Sequence, residues 1–274
     1  MFNEFMDEIK TNSAESNKIV EGDYIKNGLY HCHICHTPKQ YRLKVNGKEM
    51  IMGSMCKCLQ DKEKAEKEAE KQRKLRERKR TALGDNEMLQ WDFAHDDGTN
   101  PKITEAAKKY CNQFEYFKAM GKGIMLYGPV GTGKTFVAAE IVNELVEKKY
   151  RCYFTSITRL VNGMPKELAE RNRYIDRLND YDLLVLDDFS AEKKTEYMQE
   201  AVYLIVNARY VAGLPLIITT NLTADEIKNT NDITFQRTYS RISEMCHPIL
   251  VDGADRRKEK ARAEYKATKE LLGI

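Results

Sequence analysis

A glycine-rich octapeptide, GPVGTGKT at residues 128–135, constrains the fold of this chain more than any other feature. An apolar, strand-like run at residues 124–127 precedes it, and a helical pattern over residues 134–147 follows. This is the context of a GxxxxGK(S/T) phosphate-binding loop, whose glycines let backbone N–H groups point at phosphate oxygens beside a helix N-terminus. We expect Lys134 to bridge the β- and γ-phosphates of ATP and the Thr135 hydroxyl to bind Mg²⁺. The predicted nucleotide-binding residues are Gly128, Pro129, Val130, Gly131, Thr132, Gly133, Lys134 and Thr135.

A second strand-like run, LLVLDD at residues 183–188, ends in two carboxylates. A phosphate-binding loop requires an acidic residue that holds Mg²⁺, and Asp187 is placed for this role. Asp188 stands where an ATPase needs a carboxylate to polarise the attacking water. A third run ends in TTN at residues 219–221, where Asn221 would help to position that water. The predicted catalytic set from these motifs is therefore Lys134, Asp187, Asp188 and Asn221.

From about residue 85 onward, short apolar runs alternate with helical stretches. The candidate strands are residues 124–127, 152–155, 183–186 and 216–220, and the candidate helices are residues 134–147, 196–210 and 255–272. This alternation is typical of an α/β fold with a parallel sheet flanked by helices.

Four of the seven cysteines cluster as CxxC and CxC pairs near the N-terminus. They are Cys32, Cys35, Cys56 and Cys58. Four thiolates in two close pairs suit tetrahedral Zn²⁺, and a small module with little core gains folding free energy from a metal. His31, His33 and His36 crowd the first pair, so one histidine could replace a thiolate. The isolated Cys111, Cys152 and Cys246 are interpreted as packing residues.

Charge and composition divide the chain into three predicted parts. Residues 1–60 form the zinc-binding domain, residues 61–84 a charged helical linker and residues 85–274 the nucleotide-binding domain. Residues 61–80 hold ten basic and six acidic side chains, which favours a solvated helix over a nucleic-acid contact. The net charge of +3 does not by itself indicate nucleic-acid binding. With no apolar run of about 18 residues and no secretory pattern in residues 1–10, we expect a cytoplasmic protein that does not enter a membrane.

Residues 85–260 resemble a family, the AAA+ helicase loaders of the DnaC and DnaI type and the related IstB-like transposition ATPases. The resemblance lies in WDF at residues 91–93, GPVGTGKT, LLVLDD, NARY at 207–210, PLIITTN at 215–221 and RTYSRISEMC at 237–246. It implies that ATP lies between subunits that self-associate, with Arg241 as an arginine finger acting in trans and Arg237 as its neighbour. It also implies a sensor arginine at Arg257, with Arg256 as the alternative.

The same resemblance implies a function. It is that of an ATP-dependent loader of a DnaB-type hexameric helicase onto single-stranded DNA, with residues 1–60 as the helicase-docking unit. Asp188 departs from the glutamate usual in vigorous AAA+ ATPases, so slow hydrolysis is expected. The alternatives are an IstB-like transposition ATPase and a non-hydrolysing adaptor that blocks a host loader or helicase. Candidate contacts to single-stranded DNA are Tyr153, Phe154, Thr155, Ser156, Arg159, Lys166, Arg171 and Arg173.

Overall fold

The computed structural model describes residues 18–45, 47–189, 195–223, 226 and 232–272. The chain divides into two compact units, Met1–Lys74 and Leu75–Ile274. The division falls inside one long helix, α1 (Lys57–Leu83), whose buried residues are Ala82 and Leu83 in its last turn. The domain limits predicted at residues 60 and 84 remain a prediction.

The first unit contains two small antiparallel hairpins. They pair β1 (Tyr24–Lys26) with β2 (Leu29–His31) and β3 (Gln40–Val45) with β4 (Lys48–Gly53). Among the described residues up to residue 74, the buried apolar side chains are those of Cys32 and Cys56 alone. A module of this size with so little apolar core requires another source of stability.

An ion pair supplies part of that stability. Lys39 Nζ lies 2.6 Å from Asp23 Oδ2, and both side chains are almost wholly removed from solvent. Lys39 also donates a hydrogen bond of 2.8 Å to the carbonyl of Lys18. The hydrogen bond from Lys39 holds the pKa of Asp23 well below its usual range. The lysine therefore fastens the first described residues of the chain to the start of β3.

The second unit is a five-stranded parallel sheet with helices on both faces. The strand order is β6–β7–β8–β5–β9, and each neighbouring pair is parallel. Its strands are β5 (Gly123–Tyr127), β6 (Cys152–Ser156), β7 (Leu183–Asp187), β8 (Leu216–Thr220) and β9 (Cys246–Leu250). Its helices are α2 (Pro101–Asn112), α3 (Phe114–Ala119), α4 (Lys134–Glu147), α5 (Ile157–Asn162), α6 (Leu168–Leu178), α7 (Glu196–Val211), α8 (Ile233–Met245) and α9 (Arg256–Leu272), with a short 3₁₀ helix at Glu87–Gln90. The predicted parallel α/β sheet is thus confirmed, with one strand more than the sequence indicated.

Alternate residues of the strands enter two separate cores. Leu184 and Leu186 of β7 pack with α5, α6, α7 and α8 on one face of the sheet. Leu183 and Val185 pack with α2, α4 and the end of α1 on the other face. Because side chains alternate along a strand and both faces are covered, β7 is apolar from Leu183 to Leu186. No helix among the described residues is long and apolar enough to span a bilayer.

Arg209, on α7, is the largest fully buried side chain of the second unit. Its guanidinium donates to four backbone carbonyls, at 3.2 Å to Leu178, 2.8 Å to Tyr181, 3.4 Å to Asp182 and 2.6 Å to Pro215. Burial lowers its pKa to about 10, so it stays charged near neutral pH. The planar guanidinium therefore joins the end of α6 and the segments that enter β7 and β8.

We expect Arg209→Lys to destabilise the second unit by about 2 kcal/mol or more, because an ammonium group cannot reach all four carbonyls and buried acceptors lose partners. The measurement is urea unfolding followed by the fluorescence of Trp91, the single tryptophan of the chain. Arg177→Lys, at an exposed position of α6, is the matched control and should change stability by less than about 0.5 kcal/mol. Equal unfolding midpoints for the two variants would contradict this account of Arg209.

Candidate functional site

The glycine-rich loop joins β5 to α4 and is held close to the segment after β9. Gly128, Gly131 and Gly133 have φ values of +141°, +81° and +99°, which residues with a Cβ rarely adopt. A Cβ on Gly128 would collide with the carbonyl oxygen of Val251, and one on Gly131 with the carboxylate of Asp255. Glycine is therefore required both by the conformation of the loop and by its close packing.

Lys134 is 7% exposed and folds back over this loop. Its Nζ donates to the carbonyls of Gly128, at 2.8 Å, and Pro129, at 2.6 Å. Burial, and then the positive charge of Arg257, lower the pKa of Lys134, against the opposing effect of the Asp187 and Asp188 carboxylates. A buried ammonium group that is held only by two neutral carbonyls is well suited to bind an anion.

Asp187 connects three elements at one edge of the sheet. Its Oδ1 accepts hydrogen bonds from Thr135 Oγ1 of α4, at 3.0 Å, and from Thr219 Oγ1 of β8, at 2.6 Å. Burial raises the pKa of Asp187 above its usual range, and the Asp188 charge adds to this, although both threonine hydrogen bonds oppose it. A buried carboxylate that contacts hydroxyls is a suitable ligand for a divalent cation. Thr135 and Asp187, the two predicted Mg²⁺ ligands, are thus in direct contact.

Asp188 and Asn221 lie at the same edge of the sheet. Asp188 is exposed and adopts the left-handed region with φ of +57°, while its backbone N–H donates to Thr219 Oγ1 at 3.0 Å. Asn221 follows β8 directly, and its side chain lines the same cavity as Asp188. The Thr219 hydroxyl therefore holds both acidic residues: it donates a hydrogen bond to the Asp187 carboxylate and accepts one from the Asp188 backbone N–H. No motif in the sequence assigned this role to Thr219, although the threonine pair before Asn221 was a signal for it.

These groups surround a cavity of about 660 Å³. Its lining residues are Glu87, Trp91, Val130, Gly131, Gly133, Lys134, Thr135, Phe136, Asp187, Asp188, Thr219, Thr220, Asn221, Arg256 and Arg257. Both alternatives for the sensor arginine are present. Arg256 Nη1 pairs with Asp97 Oδ2 at 3.2 Å, and its backbone N–H donates to the Gly131 carbonyl, whereas Arg257 forms no ion pair with the described residues. The free guanidinium of Arg257 is therefore the more available cation.

Arg241 and Arg237 do not line this cavity. The Arg241 guanidinium lies over the Tyr203 ring, 5.0 Å from its centroid, and its Nε donates to Asn207 Oδ1 at 2.9 Å. Arg237 is exposed, on the same helix α8, and lines a separate surface recess with Glu196, Glu200 and Asp232. Neither arginine can therefore act on the nucleotide site of its own chain in this conformation.

The four predicted zinc ligands converge in the first unit. The Sγ atoms of Cys32, Cys35, Cys56 and Cys58 all lie within 4.8 Å of one another. The Cys58 sulfur is 3.6 Å from that of Cys32 and 3.3 Å from that of Cys56. Four sulfurs bonded to Zn²⁺ at about 2.3 Å stand about 3.8 Å apart, so the cluster has nearly the size that the ion requires.

The three histidines beside the first cysteine pair make other contacts. His31 Nδ1 lies 3.0 Å from the Leu29 carbonyl oxygen, and His33 Nδ1 lies 3.1 Å from Asp23 Oδ1. His36 Nδ1 lies 3.2 Å from Tyr24 Oη. The four thiols come together without any of them. The alternative in which a histidine replaces a thiolate is therefore not needed to complete a tetrahedral site.

The family of the chain follows from comparison with known sequences. The pattern of the IstB-like ATP binding protein family matches residues 29–264. The chain belongs to this family. The match spans both the cysteine cluster and the nucleotide cavity, and it confirms the resemblance on which the sequence analysis relied.

Individual relatives of this IstB-like protein include proteins of two kinds. The replicative helicase loader DnaI of Bacillus subtilis is 30% identical over 149 residues, which are 50% of this chain and 48% of that protein. An insertion-sequence ATP-binding protein of Mycobacterium tuberculosis is 28% identical over 166 residues, which are 59% of this chain and 65% of that protein. The chain thus spans between about half and two thirds of the length of these curated relatives.

A crystal structure of DnaI shares the fold, with a TM-score of 0.53 and 22% identity over 65% of this chain and 98% of that one. The second unit of this IstB-like protein therefore shares the fold of that structure, a parallel α/β sheet with a P-loop, as predicted.

One group of predicted residues needs correction. Phe154 is 4% exposed and Thr155 is 1% exposed, because these neighbours in β6 point to opposite faces of the sheet and both faces are covered. The expectation that they contact single-stranded DNA is therefore wrong. Tyr153 stacks on Tyr181 with their ring centroids 5.1 Å apart, as a packing residue would. Arg159, Lys166 and Arg173 remain exposed, and Ser156 and Arg171 are partly exposed.

We expect Asp187→Asn to weaken MgATP binding roughly tenfold, since the neutral amide cannot attract the cation and loses a charged acceptor for two hydroxyls. The measurement is ATP affinity with Mg²⁺ and with EDTA, and the loss should appear only with Mg²⁺. Asp188→Asn is the matched control, because it removes a neighbouring carboxylate that does not contact Thr135. An equal loss of affinity in EDTA would show that Asp187 does not act through the cation.

Proposed function

We propose that this protein is an ATP-dependent loader of a DnaB-type hexameric replicative helicase onto single-stranded DNA, with ATP binding and slow hydrolysis as its switch. One observation carries the proposal: an AAA+ nucleotide site and a separate four-cysteine unit occur in one chain. The similarity to DnaI supports it, since that protein is a replicative helicase loader. Residues 1–60 are then the helicase-docking unit. We place the protein in the cytoplasm, where a replicative helicase acts, or in the host cytoplasm if a phage encodes it.

The cavity would hold ATP with its phosphates on the glycine-rich loop. Lys134 would exchange the carbonyls of Gly128 and Pro129 for β- and γ-phosphate oxygens, which are stronger acceptors. Thr135 and Asp187 would hold Mg²⁺, whose positive charge suits a buried carboxylate with a raised pKa. Arg257, which also lines the cavity, would contact the phosphates. ATP and Mg²⁺ are thus the expected cofactors of the second unit.

Hydrolysis would depend on Asp188 and Asn221. Asp188 would accept a proton from the attacking water, and the Asn221 amide would orient that water. Asp188 is exposed to solvent and carries a short side chain on a left-handed backbone, so it positions water less firmly than a buried, longer carboxylate would. This geometry supports slow turnover, and we expect the helicase or DNA to stimulate it.

Zinc would complete the first unit. Four thiolates at nearly tetrahedral spacing satisfy the ion, and a closed site of four sulfurs leaves no position for substrate. The hydrogen bond with Cys56, and then that with Cys35, raise the pKa of Cys58 to about 12, so these neighbours oppose its ionisation until a cation shares the charge. The role of zinc is therefore structural: it replaces the apolar core that this unit lacks.

A transposition ATPase is the second candidate function. The similarity to an insertion-sequence ATP-binding protein, over a larger share of both chains than the similarity to DnaI, favours it. The two functions share the nucleotide site and differ in the partner, which would be a transposase on duplex DNA. The four-cysteine unit as a docking module favours the loader.

The first test measures complex formation by mass photometry with the host replicative helicase, with and without ATP. We expect a discrete heavy complex for the wild type. Cys35→Ser should lower the zinc content and remove the complex while ATP affinity is retained. Cys152→Ser, at a buried cysteine of β6 outside the cluster, is the control for the substitution itself.

A complex with a transposase on duplex DNA, and none with the helicase, would favour the second candidate instead. A helicase complex without measurable ATP turnover, even with DNA present, would favour a non-hydrolysing adaptor. Zinc content unchanged in Cys35→Ser would contradict the metal site.

The trans arginine is tested by mixing variants. Arg241→Ala should bind ATP but lose turnover, whereas Lys134→Ala should lose ATP binding. Because each subunit would supply what the other lacks, a mixture of the two should hydrolyse ATP faster than the sum of the separate samples. The double variant Lys134→Ala/Arg241→Ala, mixed with Arg241→Ala, should give no such gain. If mixing with Lys134→Ala restores ATP hydrolysis to Arg237→Ala but does not restore it to Arg241→Ala, the arginine finger is Arg237.

A further inference from the structure

Asn143 is a buried polar residue that the proposed chemistry does not use. It lies on α4, nine residues after Lys134 and therefore about 13 Å along the helix axis. Only 1% of its surface is exposed. Its Nδ2 donates to two backbone carbonyls, at 2.9 Å to Met88 and 2.8 Å to Trp91. Both amide hydrogens are thus committed to one short segment of chain.

That segment also reaches the nucleotide cavity. It consists of the 3₁₀ helix Glu87–Gln90 and its C-cap residue Trp91, and the side chains of Glu87 and Trp91 line the cavity. The Trp91 ring packs on the ring of Phe136, with their centroids 5.6 Å apart. No other side-chain hydrogen bond joins residues 87–91 to α4 in the described part of the chain. Asn143 therefore provides the polar anchor of this segment.

The residues that line the cavity are of two chemical kinds. Lys134, Thr135 and Asp187 suit phosphates and a cation, whereas Trp91 and Phe136 supply aromatic surface. An aromatic surface suits the flat, apolar base of a nucleotide rather than its phosphates. Since α4 carries Lys134 at its N-terminus and Asn143 further along, one helix positions Lys134 and, through Asn143, the segment that carries Trp91.

We propose that Asn143 is a positioning residue for the base of the bound nucleotide. It acts through the Met88 and Trp91 carbonyls, which it holds so that Trp91 faces the cavity. The inference rests on the proposed ATP site and extends it. It requires that loss of the Asn143 amide weaken the contribution of the base to binding and leave the contribution of the phosphates unchanged.

The experiment compares two probes on the full chain, ATP and inorganic tripolyphosphate, which lacks base and ribose. Asn143→Ala should weaken ATP binding roughly tenfold, the order expected from loss of two hydrogen bonds, and change tripolyphosphate affinity by less than about twofold. Asn143→Ser keeps one hydrogen-bond donor, so its ATP affinity should lie between those of the wild type and Asn143→Ala. It replaces the alanine variant if that variant does not fold. Asn172→Ala, at an exposed position of α6, is the matched control.

Trp91 gives a second, independent readout, because it is the single tryptophan of the chain. Asn143→Ala should increase acrylamide quenching of its fluorescence and shift its emission, while Asn172→Ala should leave both unchanged. An equal loss of affinity for both probes would overturn the inference, since it would place the effect on the whole helix. Unchanged ATP affinity in Asn143→Ala would overturn it as well. A wild-type protein that binds neither probe would instead refute the proposed nucleotide site.

Discussion

The hydrogen bonds to the Asp187 carboxylate are the interaction on which the nucleotide site depends. Thr135 at the start of α4 and Thr219 near the end of β8 both donate to Oδ1 of this residue at the end of β7. The carboxyl ends of parallel strands meet at one edge of the sheet, which brings Asp187 and Thr219 together, and the glycine-rich loop places Thr135 beside them. Desolvation of the partly buried carboxylate is costly, and a cation such as the proposed Mg²⁺ would offset this cost.

How much the sequence predicts depends on whether a signal is local. The glycine-rich loop needs left-handed backbone at fixed positions, and the apolar run before Asp187 needs a strand buried on both faces, so both can be recognised within a few residues. Strand β9 was missed because it lies at the sheet edge and contains Pro248, and both features weaken a strand pattern. Phe154 was misassigned because alternation along β6 does not reveal that both faces of the sheet are covered.

Arg209 and Asn143 show the other limit. Both are polar residues on helices, and periodicity alone would place such residues on a solvated face. Each is buried because another segment folds over its helix, and each satisfies backbone carbonyls of that segment rather than a side chain. The carbonyls that accept these hydrogen bonds lie between 6 and 55 positions away in the sequence, from Pro215 for Arg209 to Met88 for Asn143. No local sequence pattern identifies them.

The position of Arg241 bears on how the site is completed. Its guanidinium is held over Tyr203 and Tyr210 and hydrogen-bonded to Asn207, all of which lie on α7. Turning it into the cavity of its own chain would cost these contacts and the packing of α8 on α7. A surface arginine fixed by its own chain is instead already ordered when another subunit approaches, so little side-chain entropy remains to be lost. The contacts of Arg241 thus exclude it from the nucleotide site of its own chain in this conformation and leave the proposed role between subunits open to the mixing experiment.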